Sequence, residues 1–245
     1  MKTPLIPVQF PSIYKLANGA PGPLPSRMAQ CTPDTKKAVE NIARDLELKG
    51  GKLILSDMFR SYDMQLQSHK DFVTGKKTAF SPAPGGSLHE AGRAMDIDLS
   101  AIHISLADFW VIAAKHGFKP IITSPVSGVS ESWHFDCAGS HRIVYNYYHE
   151  GKAGNMPAYA AMAASAILAV GIQVDKFAGK LDDAAIQFGL VRLGQNIGAV
   201  DGDIGNKTKT ALQNIGIAWT DVKTVLAQIE KKLHITFKEE YPIAV

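Results

Sequence analysis

Apolar positions recur at helical spacing between Asp34 and Leu48, where Ala38, Val39, Ile42, Ala43 and Leu46 share one face. Thr32 or Asp34 is placed to cap this helix, and Lys49-Gly50-Gly51 ends it. Leu53 to Met58 is a short apolar run that predicts a buried strand. Tyr62 to Val73 predicts a second helix, and Leu106 to His116 a third, ended by Gly117. Between them, Ala94 to Leu99 alternates: Met95, Ile97 and Leu99 face one way, while Ala94, Asp96 and Asp98 face the other. Such a strand sets its apolar side on a core and its carboxylates toward a cleft. Ile121-Ile122 predicts a short strand or edge, Trp133 to Asp136 another strand, and His141 to His149 a closing helix.

The stretches between these elements are punctuated. Up to Pro33 the chain is rich in Pro, Gly and Asn and reads as an extended arm or loop. Thr74 to Gly86 is a loop dense in Pro, Gly and Ser, and residues 151–155 (Gly-Lys-Ala-Gly-Asn) form a linker. Beyond the linker the pattern becomes helical: Asp182 to Leu193, Lys207 to Ile215, and a helix over Asp221 to Leu233 capped by Thr220. Pro157 to Val174 carries no formal charge. Its alanine-rich composition predicts a buried helix with no stable membrane insertion; the alternative reading is a membrane segment, for which its length is at the lower bound. The expected fold is α+β over residues 1–150, a small antiparallel sheet with flanking helices, followed by a small all-α domain over 156–245.

Composition narrows the partners. The 245 residues are 46% hydrophobic and 20% charged, ordinary for a globular protein, with a net charge of +3. No basic run or stripe is present, so nucleic acid is not expected as a partner. Cys31 and Cys137 make at most one pair, too few for a disulfide framework. The start, MKTPLIPVQFPSIYK, lacks a continuous apolar stretch and a cleavage site, so no secretory signal is read there.

The chemistry gathers in two short stretches, Ser87-Leu88-His89-Glu90-Ala91-Gly92-Arg93-Ala94-Met95-Asp96 and Glu131-Ser132-Trp133-His134. Two histidines, a carboxylate and a further glutamate are the inventory of a hydrolytic zinc site, with three protein ligands, one open position and one general base. Strand parity sets the expected geometry. His89 approaches on a loop, Gly92 lets the chain turn, and Asp96 points from the cleft face of a strand. Glu131 and His134 are three apart, which on a regular strand would put them on opposite faces. Glu131 is therefore expected on a turn or bulge before the strand. Asp98 reads equally as a partner that orients a ligand histidine or as a surface carboxylate.

The pattern S-x-H-x-x-G-x-A-x-D followed by E-x-W-H resembles the zinc D,D-peptidases of bacterial cell walls, over roughly residues 35 to 150. That group includes D-alanyl-D-alanine carboxypeptidases, vancomycin-resistance-type enzymes and L-alanyl-D-glutamate endopeptidases of phage lysins. Phe59-Arg60-Ser61-Tyr62-Asp63-Met64-Gln65 resembles the family's Y-R-S-x-x-x-Q segment, with Phe59 in place of the tyrosine. The resemblance implies zinc held by His89, Asp96 and His134, Glu131 as the base, and Arg60 near the scissile carbonyl or the substrate carboxylate. It implies Ser87 and Gln65 at the substrate. Arg60 also reads as a structural salt bridge to Asp57 or Asp63, and Ser87 as the cap of a turn.

Asp182 to Gly216 resembles the helical peptidoglycan-binding module attached to many wall hydrolases, through Val191-Arg192-Leu193-Gly194, Val200-Asp201-Gly202-Asp203-Ile204-Gly205, Thr208 and Ala211-Leu212. Asp203 or Asn206 is placed to cap the helix that follows the turn. The family's downstream Phe-Gln pair is replaced by Asn214-Ile215. Together these resemblances imply a monomeric zinc metallopeptidase acting on peptidoglycan stem peptides at the cell wall. Without a secretory signal, its expected route is lysin-like accumulation and release, or another export path. The alternative is a non-catalytic wall-binding or virion structural protein that keeps a metal site.

Overall fold

The proline-rich start of the chain folds into strands, where its sequence suggested an arm. In the computed structural model, which describes residues 2–241, these strands are β1 (Ile6–Pro7), β2 (Pro11–Lys15), β3 (Pro21–Pro23) and β4 (Gln30–Cys31). The prolines sit at strand ends or on the edge strand β3, where a missing N–H breaks no ladder. After them come α1 (Pro33–Glu47), β5 (Leu55–Asp57), α2 (Tyr62–Val73), a 3₁₀ turn (Leu88–Ala91), β6 (Ala94–Ile97), α3 (Leu106–Lys115), β7 (Phe118–Pro120) and β8 (His134–Cys137).

The main sheet has six strands in the order β3-β2-β5-β6-β8-β7. All its pairings are antiparallel except β2 with β5, which is parallel, so the sheet is mixed. The strand expected at Ile121-Ile122 lies three residues earlier, at Phe118–Pro120, and Ile121 is exposed. α1 buries Val39, Ile42 and Leu46 in a core with Leu55, Met95, Phe109, Phe118 and Phe135. Thr32 caps α1 by backbone position alone. Its hydroxyl contacts Asp34 Oδ1 at 2.7 Å and Thr35 Oγ1 at 2.8 Å. Ser61 caps α2 by accepting from the Met64 N–H, so this helix starts just after Arg60.

These elements form one compact unit, Leu5–Ala83 with Leu88–Ala138. Among the described residues, a second unit gathers residues 2–4, Pro84–Ser87 and residues 139–241. It is helical: α4 (Arg142–His149), α5 (Ala158–Ala169), α6 (Leu181–Arg192), α7 (Asn206–Asn214) and α8 (Val222–Thr236). α5 is buried from Ala161 through Leu168 without a polar face, as a helix apolar all round should be. Its 12 residues rise about 18 Å, short of a bilayer core. Among the described residues, no helix is long and apolar enough to cross a membrane.

Inside the second unit, Gln187 locks the Asp201-Gly202-Asp203 turn. Its Oε1 accepts from the N–H groups of Asp201 and Gly202, and its Nε2 donates to Asp201 Oδ1 and to the Asp203 carbonyl. Gly205 stands at the N-cap of α7, the helix after this turn, with no side-chain capping bond, so neither Asp203 nor Asn206 takes that role. Likewise Asp221, accepting from the Thr224 N–H, caps α8 in place of Thr220. Arg192 and Glu240 form a buried ion pair, Nη2 to Oε2 2.6 Å, and Ser140 joins it by its hydroxyl and its N–H. With both charges satisfied, the pair tolerates burial; with one removed it would not.

Candidate metal centre

Three strands bring the site together. In the register of the sheet, Asp57 of β5 is the partner of Asp96 of β6, and Asp96 is the partner of His134 of β8. Directly opposed residues point to one face, so Asp96 and His134 converge. Asp136, two residues past His134, pairs with Ala94, whose single methyl keeps that face clear.

His89 arrives from the 3₁₀ turn. Gly92 makes the turn possible: its φ is +62°, and a Cβ there would stand 2.9 Å from Cys31 Cα. The N–H of Arg60 donates to the His89 carbonyl at 3.2 Å, tying the start of α2 to the same turn. All three side chains are buried.

The donor atoms are closely grouped. Asp96 Oδ1 lies 2.9 Å from His134 Nδ1 and 3.3 Å from His89 Nε2, and the two ring nitrogens are 3.2 Å apart. Donors about 2.0–2.1 Å from a tetrahedral zinc ion stand about 3.3–3.4 Å from one another, so this trio has the spacing of three corners. The outer hydrogen bonds agree. His89 Nδ1 lies 2.7 Å from the Met58 carbonyl, which can only accept, so the proton is on Nδ1 and the Nε2 lone pair turns inward. His134 Nε2 lies 3.0 Å from Asp136 Oδ1, which likewise directs Nδ1 toward Asp96. Two imidazole nitrogens and a carboxylate oxygen thus face one point, an arrangement that calls for a cation. His89, Asp96 and His134 could hold a metal ion.

The electrostatics say the same. Burial alone would raise the Asp96 carboxyl, yet the two histidines hold it well below its ordinary range. Burial would lower His134, but the carboxylates of Asp136 and Asp96 keep it well above the usual histidine value. A positive charge, proton or metal, is stabilised at this position.

Glu131 stands where parity requires. The chain turns through residues 131–133 before β8 begins, and Glu131 has φ +68°, a left-handed conformation rare for a side-chain-bearing residue. It is half-buried, Ser130 donates to its carboxylate at 3.3 Å, and its charge acts on Arg60. Arg60 lies among carboxylates: Nε is 2.5 Å from Asp57 Oδ2, and Nη2 is 3.3 Å from Asp96 Oδ2. Burial would lower its pKa, but Asp57 and Asp96 outweigh this and raise it, so it stays charged.

Gln65 is fully buried. Its Oε1 accepts from Arg60 Nη1 at 3.3 Å, and its Nε2 donates to Ser81 Oγ and to the Pro82 carbonyl. Ser87 is buried, in the segment that belongs to the second unit, and is not part of the donor cluster. Asp98 turns away: β6 ends at Ile97, and Asp98 accepts from the N–H and hydroxyl of Ser100. Cys31 and Cys137 are free, buried thiols. Asp136 and the Met58 carbonyl orient the two histidines, although neither lies among the residues that the two motifs mark. The His134-Phe135-Asp136 alternation carries the signal for Asp136; nothing local in the sequence carries one for Met58.

No family model matches the chain, and no curated protein matches it. Solved structures do. The LdcB LD-carboxypeptidase aligns with 54% of this chain and 67% of its own, at 18% identity and a TM-score of 0.41. A mutant of the vancomycin-resistance D,D-pentapeptidase VanY in complex with Zn(II) aligns with 59% of this chain and 89% of its own, at 20% identity and 0.37. The L,D-carboxypeptidase DacB of Streptococcus pneumoniae aligns with 44% of this chain and 66% of its own, just under two thirds, at 22% identity and 0.34. At these values the likeness is confined to part of the fold.

Proposed function

We propose that this chain is a zinc-dependent peptidase that hydrolyses peptide bonds in peptidoglycan stem peptides. The observation that carries the hydrolytic part is the convergence of His89 Nε2, Asp96 Oδ1 and His134 Nδ1 within 3.3 Å. The substrate class rests on the S-x-H-x-x-G-x-A-x-D and E-x-W-H motifs, which resemble those of the wall peptidases.

A zinc ion held by His89, Asp96 and His134 supplies Lewis acidity for the carbonyl and for water. The remaining work falls to the protein's own groups. Glu131 accepts the proton of the attacking water on its carboxylate and returns it to the leaving amine. Arg60 commits three of its five N–H groups to Asp57, Gln65 and Asp96, and its remaining donors meet the oxygen on which charge develops. Ser87 is assigned to substrate binding. Gln65, occupied on every side, serves the substrate through Arg60. Catalysis is assigned to the unit that carries the metal centre and wall binding to the helical unit. Of the expected division into a catalytic domain 1–150, a linker 151–155 and a wall-binding domain 156–245, the boundary moves to about residue 138, because α4 and residues 151–155 group with the helical unit.

Purified muropeptides incubated with the full chain test this, with products read by mass spectrometry. Hydrolysis that a chelator abolishes and zinc restores is the expected result, and the products name the bond and separate carboxypeptidase from endopeptidase. Zinc binding without turnover on any muropeptide would leave the non-catalytic wall-binding reading in its place.

A further inference from the structure

Asp96 spends its two oxygens differently. Oδ1 faces the ring nitrogens of His134 and His89, at 2.9 and 3.3 Å. Oδ2 faces Arg60 Nη2 at 3.3 Å. A carboxylate can bind a metal through one oxygen or both, and a second bound oxygen takes a position that a catalytic site must keep open. We propose that Arg60 fixes Asp96 as a one-oxygen ligand by holding Oδ2 away from the metal position. This rests on the metal-centre reading above and goes beyond it, because it gives Arg60 a task that precedes any substrate.

The hold is rigid for a stated reason. A guanidinium is planar, so contacts at its three nitrogens fix its plane as well as its place. Asp57 takes Nε, Gln65 takes Nη1 and Asp96 meets Nη2. Gln65 is itself pinned, at 3.0 Å to Ser81 Oγ and 2.7 Å to the Pro82 carbonyl, and Ser81 Oγ donates onward to Ser68 Oγ at 3.0 Å. Lys77 donates to the same Ser68 hydroxyl at 2.9 Å. A continuous run of hydrogen bonds therefore joins the loop at Lys77 to the outer oxygen of Asp96. Asp57 is also the cross-strand partner of Asp96, so the sheet delivers the anchor and the ligand together. Gln65 and Ser81 are positioning residues that act through Arg60.

Cobalt(II) reports the difference directly, because four-coordinate cobalt absorbs visible light more strongly than five- or six-coordinate cobalt. The full chain loaded with cobalt is expected to give the intense bands. In Arg60→Met, and in Arg60→Lys, which keeps a charge beside Asp57 but loses the fork, the bands should weaken severalfold as Oδ2 joins the metal. Far-ultraviolet circular dichroism identifies the folded variants; if Arg60→Met does not fold, Arg60→Lys decides. An unchanged spectrum in a folded variant overturns the proposal, as do weak bands in the unaltered chain, and both leave the metal centre standing. Failure of the unaltered chain to bind cobalt or zinc overturns the metal-centre reading and the proposal with it.

Discussion

His134 Nε2 lies 3.0 Å from Oδ1 of Asp136, two positions further along the same strand. The contact sets which ring nitrogen turns toward Asp96. Replacing Asp136 with Asn keeps the shape but removes the negative charge, and replacing it with Ala removes the contact. Zinc affinity measured against a chromophoric chelator should fall about 10–100-fold in Asp136→Ala. An unchanged affinity would mean that the strand alone orients the ring.

Glu131 separates function from stability. Glu131→Gln should lower turnover on muropeptides by about 10²–10⁴-fold while the zinc content stays the same. Glu131→Gly should be equally inactive yet melt no lower than the unaltered chain. A left-handed conformation costs a side-chain-bearing residue roughly 1–2 kcal/mol, and glycine is spared that cost. A clear drop in the melting temperature of Glu131→Gly would show that the glutamate side chain stabilises the turn.

Zinc binding should release a proton. His134 titrates well above its ordinary value, so near neutral pH the metal-free site carries an imidazolium that the metal displaces. Calorimetry at pH 7 in buffers of different ionisation enthalpy should give binding enthalpies that depend on the buffer, and zinc affinity should rise with pH. For the metal-free protein the signs are opposed. His134, raised, contributes stability below about 6.5 and loses it as pH climbs through its folded value. Asp96, lowered, contributes above about 3.9 and loses it as pH falls. The two together favour the window between those values. A buffer-independent enthalpy would exclude the imidazolium.

In the helical unit, Gly189 lets α6 and α8 approach, because a Cβ there would collide with the Ile229 side chain. Gly189→Ala should cost about 1–3 kcal/mol in urea denaturation, through overpacking. Adding Ile229→Leu, which removes the Cγ2 methyl that the new Cβ would meet, should recover part of that loss; no recovery would place the strain elsewhere.

The sequence exposes the ligands more readily than their supports. His89, Asp96, His134 and Glu131 lie in two local motifs, and strand parity alone required the chain to break at Glu131. α2 spans the residues expected of it, Tyr62–Val73, with the Ser61 hydroxyl capping its start. The strands before Pro33 were not, because prolines interrupt the alternation that marks a strand and the pairing partners are distant. Asp98 shares the parity of Asp96, but parity holds only while the strand continues, and β6 stops at Ile97. The contacts of Arg60 with Asp96 and of His89 with the Met58 carbonyl span 36 and 31 residues, so only the three-dimensional register discloses them.

The buried Arg192–Glu240 pair bears on the order in which the chain is made. Arg192 leaves the ribosome 48 residues ahead of the carboxylate that neutralises it. Until Glu240 is synthesised, closing the helices around Arg192 would strand a lone charge in an apolar interior. Vectorial folding of this unit is therefore held back to its last stage, and a nascent chain stalled before residue 240 should remain open to chaperones and proteases.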